Sequence, residues 1–357
     1  MSITLSDMRG ILNNRIGDVV VSGTTTSAGN AAGTTVLDTA LAKYPDDYFG
    51  EKQTSFWILY LTATSQAKAV ESFTSPEGIL KVCSAFTSQV AISTAYELHR
   101  YDPAVKKIVL NQALRDVYPY FYKRLYDTTL WGQNNYGQDP DEFNKFIYTV
   151  PSTFEEFPIQ IWLLESYIGT HTGDDAAAVL TDSDADWPVN GLIGFTVYNK
   201  TDESSGTITA NTATTITATL SDDGEWDEDD EYIVQKPNKK PVRFYTYTII
   251  DPANIGSFKF YADINERYLI VLVGRAQLTQ FTNDASTTEL TNDQAEVVCL
   301  KAASNFYRAF STLINAQDSS RADSLASRFE DDFKEEVKTK RMPSVCRAMR
   351  VDFSWLE

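Results

Sequence analysis

Two stretches of the chain repeat one order of apolar and polar runs, from about Thr34 to Arg100 and from Ala177 to Lys236. Each opens with a Val-Leu pair beside Thr and Asp, continues through three strand-like runs, and closes on a strand centred on Tyr. The pattern predicts two similar β modules inserted in one scaffold, with chance likeness between Thr-rich segments as the alternative. The matching runs are Val36–Thr39 and Val179–Asp182, Trp57–Thr62 and Phe195–Thr201, Ala67–Thr74 and Gly206–Thr212, Ile79–Cys83 and Thr215–Leu220, and Thr94–Leu98 and Asp230–Val234.

Helical spacing marks both ends of the chain. Residues 3–16 form an amphipathic helix that Thr4 or Ser6 can cap and Gly17 ends. Asp102 and Pro103 are a natural N-cap and first residue for a second, longer helix, which Pro119 should kink or shorten. Its apolar positions recur every three or four residues: Val105, Ile108, Ala113, Leu114, Val117, Phe121 and Leu125.

The C-terminal third predicts an antiparallel helix pair. The first helix opens with a capping box at Thr291 and Gln294, and the second with a capping box at Ser320 and Asp323. Pro343 should stop the second helix. The apolar positions that we expect at a subunit or partner interface are Val298, Phe306, Phe310, Phe329 and Phe333.

Strand-like stretches rich in Tyr, Phe, Ile and Val occur at 145–150, 159–167, 242–250, 257–261 and 267–273, with a polar loop after Asp127. The sequence therefore predicts an α+β fold: a helical core, made of the long helix and the C-terminal helix pair, with a small β-sheet and the two β modules. The predicted divisions are 1–21 (core helix), 22–101 (first module), 102–170 (long helix and strands), 171–236 (second module), 237–342 (strands and helix pair) and 343–357 (tail).

The charge is strongly acidic. The chain of 357 residues carries a formal net charge of −18, which disfavours nonspecific grip on nucleic acid but suits a path through which DNA slides. Three scattered cysteines suggest neither a disulfide framework nor a metal site. No signal pattern or apolar run of about 20 residues is present, so we expect a soluble chain that is not exported by a classical signal.

Catalytic chemistry has little support. The two histidines, His99 and His171, lack ligands at metal spacing, and no nucleophile elbow, zinc-protease, P-loop or dinucleotide motif is present. We expect no enzyme and no cofactor. The run from 222 to 231 holds eight acids in ten residues, which a solvated hairpin tip explains and calcium binding would also explain.

The C-terminal tail is basic, in contrast to the acidic chain as a whole. Five cations and no acid lie between Lys338 and Val351, and aromatic residues follow. A helix end that complements its dipole explains the cations alone. An anchor that docks into a partner explains both features, because Arg and aromatic residues dominate interface hot spots. The expected anchor residues are Arg341, Arg347, Arg350, Phe353, Trp355 and Leu356.

Three motifs resemble the head-to-tail adaptor (connector) proteins of tailed bacteriophages. Tyr101-Asp102-Pro103 with the run from Asn111 to Pro119 is similar to the long helix of that family. The run Phe146–Glu155 looks like its entry to a β element. The run Leu290–Glu296, followed later by Arg341-Met342-Pro343, is similar to its C-terminal helix pair and exit.

This resemblance implies a virion structural protein made in the host cytoplasm. Such adaptors look like rings of about twelve copies beneath the portal protein, with an acidic channel through which DNA passes without specific binding. The tail would dock into a neighbouring ring of the neck or tail, and the β modules would face the capsid or neck fibres. No membrane is implied.

The alternative is a tail, baseplate or fibre-associated protein that recognises host glycans through its β modules. Exposed aromatic residues would carry that binding, and the candidates are Trp57, Trp187 and Trp226.

Overall fold

The computed structural model describes most of the chain as two compact units. The first consists of residues 2–123 and 277–341, and the second of residues 124–276. The described residues are 2–50, 57–132, 147–154, 156–221, 224–237, 239–249, 259–265, 267–311 and 316–341.

Strands outnumber helices in the described ranges, so the prediction of a helical core with a small β-sheet is wrong. Twenty strands in four sheets and four α-helices form within the described ranges. The helices are α1 (Leu5–Ile16), α2 (Pro103–Asp116), α3 (Asn292–Ser311) and α4 (Ala316–Lys340). The strands are β1 (Ile3–Thr4), β2 (Val21–Thr24), β3 (Thr35–Leu37), β4 (Ile58–Leu61), β5 (Gln66–Thr74), β6 (Ile79–Val82), β7 (Ala95–His99), β8 (Lys123–Trp131), β9 (Ile147–Thr149), β10 (Gln160–Thr170), β11 (Val179–Thr181), β12 (Thr196–Asn199), β13 (Ser204–Asn211), β14 (Thr215–Ala218), β15 (Glu231–Gln235), β16 (Val242–Phe244), β17 (Thr248–Ile249), β18 (Lys259–Tyr261), β19 (Tyr268–Ala276) and β20 (Thr287–Thr288).

Local signals set most helix ends. Thr4 caps α1 in a capping box with Asp7, and Gly17 ends the helix with a left-handed φ of 69°. The predicted capping box at Thr291 is also confirmed, because its side chain accepts from the backbone of Gln294 and the reverse bond is present. The second predicted box is wrong: α4 already begins at Ala316, which places Ser320 inside the helix.

The long helix is shorter than its apolar spacing suggested. Asp102 caps α2 and Pro103 begins it, as predicted, but the helix ends at Asp116. The chain turns after Asp116 and enters β8 at Lys123. The sequence had predicted that the helix continues here and is followed by a polar loop. Val117 and Phe121, which follow Asp116, are fully buried in the helix cluster, whereas Leu125 lies in β8 and packs against the core of the second unit.

The helices of the first unit share one apolar core. α3 and α4 pack along each other, α2 and α1 pack on α3, and the short pair β1–β20 closes one end. Tyr101 places its ring 5.0 Å from that of Phe306, and Asn305 donates to Asp116 over 2.9 Å. α3 is therefore held by side chains that precede and end α2.

The first β module is a six-stranded antiparallel sheet with the order β2-β7-β4-β5-β6-β3. The chain beyond β2 bends across to β3, where the Thr26 amide donates to the Leu37 carbonyl over 2.9 Å. This bond joins the two ends of the sheet into a small closed barrel. Its core includes Trp57, Leu59, Val70, Phe73 and Tyr96.

The second β module has the same construction. Its strand order is β10-β15-β12-β13-β14-β11, which matches the first module strand for strand. The Thr172 amide donates to the Thr181 carbonyl over 2.7 Å and closes the barrel at the equivalent place. Both modules also carry a bulge in the same strand pair, after Val70 in one and after Ile208 in the other.

The second module is continuous with the rest of its unit, which is why the sheet is large. The N-terminal half of β10 pairs with β19 and β16, and its last five residues, Ser166 to Thr170, pair with β15. One nine-stranded sheet results. The expected module boundary at 170/171 therefore falls at the end of a strand that serves both parts. A three-stranded sheet of β17, β18 and β9 completes the unit.

Candidate functional site

The three tryptophans expected at a glycan-binding surface lie inside the modules. Trp57 and Trp187 are each 2% exposed and Trp226 is 1% exposed. Trp57 packs in the core of the first module, and the other two pack in the core of the second. They hold the barrels together and offer no ring face to a sugar. The glycan alternative loses the residues that supported it.

The residues expected at a helix interface lie largely within the chain. Val298, Phe306 and Phe333 are buried in the helix core, and Phe329 packs against it at the edge. The side chain of Phe310 lies outside the described residues. Helix periodicity identified the apolar face correctly, but that face is covered by the other helices of the same unit.

The tail residues are described only at their start. Arg341 is exposed, and its backbone amide donates to the Val337 carbonyl at the end of α4. Arg347, Arg350, Phe353, Trp355 and Leu356 lie outside the described residues.

A buried polar cluster that sequence reasoning missed connects the first module to the helices. Lys106 of α2 is fully buried, and its ammonium donates to Asp18, to Asn13 of α1 over 2.6 Å and to Nδ1 of His99 over 2.9 Å. Since an ammonium has only protons to give, Nδ1 of His99 is an acceptor and Nε2 donates to Glu97 over 2.8 Å. Lys106 lies four residues before Leu110, on the buried face of α2. Its helical spacing from Leu110 was the signal in the sequence that could have identified it as buried.

The cluster continues through Arg9 of α1. Its guanidinium, 2% exposed, contacts Asp284 at 2.8 Å and Glu97 at 3.1 Å. It also lies over the ring of Tyr60, 4.8 Å from the centroid, and the Tyr60 hydroxyl donates to Asp284 over 2.7 Å. The first module, α1, α2 and the segment before β20 are thus joined by charge-assisted hydrogen bonds.

Burial and pairing oppose each other in this cluster. Burial would raise the pKa of Asp18, but its polar contacts with His99 and Lys106 outweigh it and lower the pKa. Burial would likewise raise the pKa of Glu97, and its bonds to His99 and Arg9 lower it instead. Burial lowers the pKa of Lys106, and its pairing with Asp18 offsets only part of that effect. Lys106 and His99 are fully buried, so the cluster fastens the fold and presents no reacting group to a substrate.

Each module also contains the same buried hydrogen-bond arrangement, here called the lock, in which an aspartate accepts from a tyrosine hydroxyl and from a backbone amide. Tyr96 donates to Oδ2 of Asp38 over 2.6 Å, and Tyr232 donates to Oδ2 of Asp182 over 2.6 Å. The other oxygen of each aspartate accepts from the backbone two residues later, at Ala40 and at Asp184. Burial and the aspartate raise the pKa of both tyrosines, so they remain protonated donors.

A glycine gives each tyrosine its space. Gly23 is paired with Tyr96 in the sheet, and Gly169 with Tyr232. A Cβ on Gly23 would lie 2.7 Å from both bonded oxygens, and one on Gly169 would lie 2.5 and 2.6 Å from them. The lock therefore requires glycine on the neighbouring strand in both modules.

The second histidine and the acidic run are also structural where they are described. Nδ1 of His171 accepts from the Thr181 amide over 2.9 Å. Asp230 accepts from Asn199 over 2.7 Å and from the Asp227 amide over 2.9 Å, which stabilises the turn before β15. Within the described ranges, no group of three or more His, Cys, Asp or Glu side chains could hold a metal ion.

The second unit has an open apolar groove of about 340 Å³ on one face of its sheet. Its floor consists of Trp162 and Leu164 of β10 and Val271 and Val273 of β19. Tyr126 of β8 lies on one rim, and Pro241 lies on the other. Trp162 and Val271 are only half-buried, and Tyr126 is 63% exposed. This volume is within the range of ligand and peptide sites.

Comparisons of the chain with family models, curated proteins and solved structures found no match. A search of the described helices found none with the length and apolarity needed to span a membrane.

Proposed function

We propose that the chain is a non-enzymatic structural protein of a virion neck, a head-to-tail adaptor that assembles as a ring beneath the portal. The observation that carries the proposal is the meeting of two segments that resemble this family. The run from Tyr101 to Pro119 forms α2 and its flanks, and the run from Leu290 opens α3. They pack in one core through the Tyr101–Phe306 and Asp116–Asn305 contacts.

The use of the buried polar groups supports a structural role. Lys106, His99, Arg9 and both module aspartates are engaged in bonds that join elements of the fold. The two modules repeat one closed barrel, which gives the chain two similar contact surfaces. In a ring of about twelve copies, the net charge of −18 per chain would produce an acidic channel that DNA passes without adhering.

The partners follow from this position. The ring would contact the portal on one side and a neck or tail protein on the other, with the modules available to the capsid or neck fibres. The C-terminal tail would anchor the chain to a neighbour in the assembly, because it combines cations with three large apolar residues near the end.

Immunogold electron microscopy of the parent particle tests the proposal. We expect gold at the collar between head and tail, and gold at the distal tail or fibres would contradict it. Particles opened with mild denaturant and relabelled distinguish a buried epitope from an absent protein.

A second test deletes residues 343–357. The proposal expects heads and tails to accumulate separately, and normal joining would count against an anchoring role. A control chain with Ser344→Ala keeps the tail at full length and should join heads to tails normally.

A further inference from the structure

The central strands of the second unit are apolar on both faces. Ile161 and Leu163 of β10 pack with Ile270 and Leu272 of β19 in the core beneath the three-stranded sheet. The intervening residues Trp162, Leu164, Val271 and Val273 point to the opposite face and form the groove floor. An antiparallel sheet with one solvated face normally alternates apolar and polar residues. Strands without that alternation indicate that the second face is also covered.

Part of this second face is covered by the module itself. Leu164 and Leu269 form a small apolar cluster with Tyr198 and Ile233, and Val271 packs against it. The groove continues from this cluster toward β8, where Tyr126 is exposed. The uncovered part therefore adjoins a well-packed one and has the same apolar composition, which favours an apolar occupant.

The C-terminal tail has the pattern that such a face requires. Met349, Val351, Phe353 and Trp355 alternate with Arg350, Asp352 and Ser354, which is the two-residue period of a strand with one apolar face. Nine of the sixteen residues from 342 to 357 are apolar or aromatic, against three of the fourteen from 133 to 146. Among the segments outside the described residues, the tail therefore has the most apolar surface to bury against another part of the protein.

We propose that residues 349–355 dock as a strand in the groove of the second unit, with Phe353 and Trp355 on its floor. Seven residues in a strand extend about 20 Å. The groove crosses β8, β19 and β10, whose spacing of about 4.8 Å gives roughly 10 Å between the outer two strands. Two or three side chains of the apolar face would fit, and the remainder would contact the rim at Tyr126 and Pro241.

This inference goes beyond the proposed function. The resemblance led us to expect that the tail docks in a neighbouring ring of another protein, whereas the groove offers a receptor on the chain itself. The occupant is the same segment whether it comes from the same chain or from another copy, and the interaction needs no virion.

Photocrosslinking in the purified full-length chain tests the inference. Trp355 is replaced by the photoreactive amino acid benzoylphenylalanine, and the crosslinked peptides are mapped by mass spectrometry. We expect crosslinks to residues 124–126, 160–164 or 271–273, within one chain or between copies. Crosslinks that map elsewhere, including to residues 133–146, or a lack of crosslinks overturn the proposal.

A matched pair of variants sharpens this test. Val271→Glu places a charge on the groove floor, and we expect it to reduce the crosslink yield about tenfold or more. Val189→Glu alters a residue of the second module that is 66% exposed and should leave the yield unchanged. Equal yields from both variants refute the groove as the receptor. Collar labelling in particles is a separate readout, so failure of the groove and failure of the adaptor role remain distinguishable.

Discussion

Gly169→Ala should open the second β module and leave the first intact. The new Cβ would lie 2.5 Å from the Tyr232 hydroxyl and 2.6 Å from Oδ2 of Asp182. These two atoms are hydrogen-bonded to each other over 2.6 Å, so the methyl group must separate them. The substitution therefore breaks the buried hydrogen bond between Tyr232 and Asp182.

The size of the effect follows from two contributions. Loss of a hydrogen bond to a charged group costs about 1.5–3 kcal/mol. Overpacking by one methyl group costs about 1–3 kcal/mol more, because neighbouring side chains must shift. Together they give a local destabilisation of about 2.5–6 kcal/mol. This corresponds to hydrogen exchange that is roughly seventyfold faster or more at amides that exchange through opening of the module.

Hydrogen exchange measured by mass spectrometry is the appropriate assay, because each module can be read separately. Amides in β15 should exchange faster, while those in β7 of the first module should not change. Gly23→Ala should reverse this result, since its Cβ would lie 2.7 Å from the equivalent oxygens. Tyr232→Phe removes only the hydroxyl and should produce a smaller acceleration.

Gly10→Ala is the matched control. A Cβ at this position in α1 meets nothing within 4 Å, so alanine should stabilise the helix by up to about 1 kcal/mol. The reasoning is refuted if Gly169→Ala leaves β15 exchange unchanged, or if it accelerates both modules equally.

Three further predictions concern the first unit. Lys106→Met should lower the free energy of unfolding by about 3–5 kcal/mol in denaturant titrations, because it leaves the buried carboxylate of Asp18 unpaired. Among the described residues, the half-buried Lys107 donates only to the Thr282 carbonyl over 3.3 Å, so Lys107→Met should have a much smaller effect. The pKa values of Asp18 and Glu97 are lowered in the folded chain, so below about pH 5 the unfolded chain binds more protons than the folded chain and the melting temperature should decrease. Glu97→Gln should weaken this dependence of the melting temperature on pH. An unchanged pH profile in that variant would argue against a contribution from Glu97. Burial raises the pKa of the Cys299 thiol, so maleimide labelling followed by mass spectrometry should modify exposed Cys83 in the native protein and Cys299 only after unfolding.

Features set by neighbouring residues could be predicted from the sequence, and features set by distant residues could not. The caps at Thr4, Asp102 and Thr291 depend on side chains within three residues, and each was predicted correctly. The burial of Lys106 depends on Asp18 and His99, which lie 88 and 7 positions away along the chain. Periodicity gives no measure of such pairing, and a lysine beside an apolar stripe is normally placed in solvent.

The error in fold class has a similar origin. Short apolar runs such as those of β10 and β19 were identified as strands, but their pairing partners are far apart in sequence, so the size of the sheet could not be read from them. The prediction of an exposed aromatic surface was wrong for a different reason. Trp187 and Trp226 lie next to acidic residues in the sequence, yet tryptophan is the largest side chain available to fill a barrel core, and Trp57 fills the core of the other barrel.

The pairing of β2 with β7 means that the chain enters and leaves the first module through adjacent strands. Val21 lies opposite Leu98, and such partners are about 5 Å apart. The second module begins and ends in the same manner, with Ser166 opposite Gln235. A short linker could therefore replace an entire barrel without moving the host segments on either side. Such a chain can gain, lose or exchange its barrels as complete units, and their outer surfaces can diverge while the scaffold stays constant.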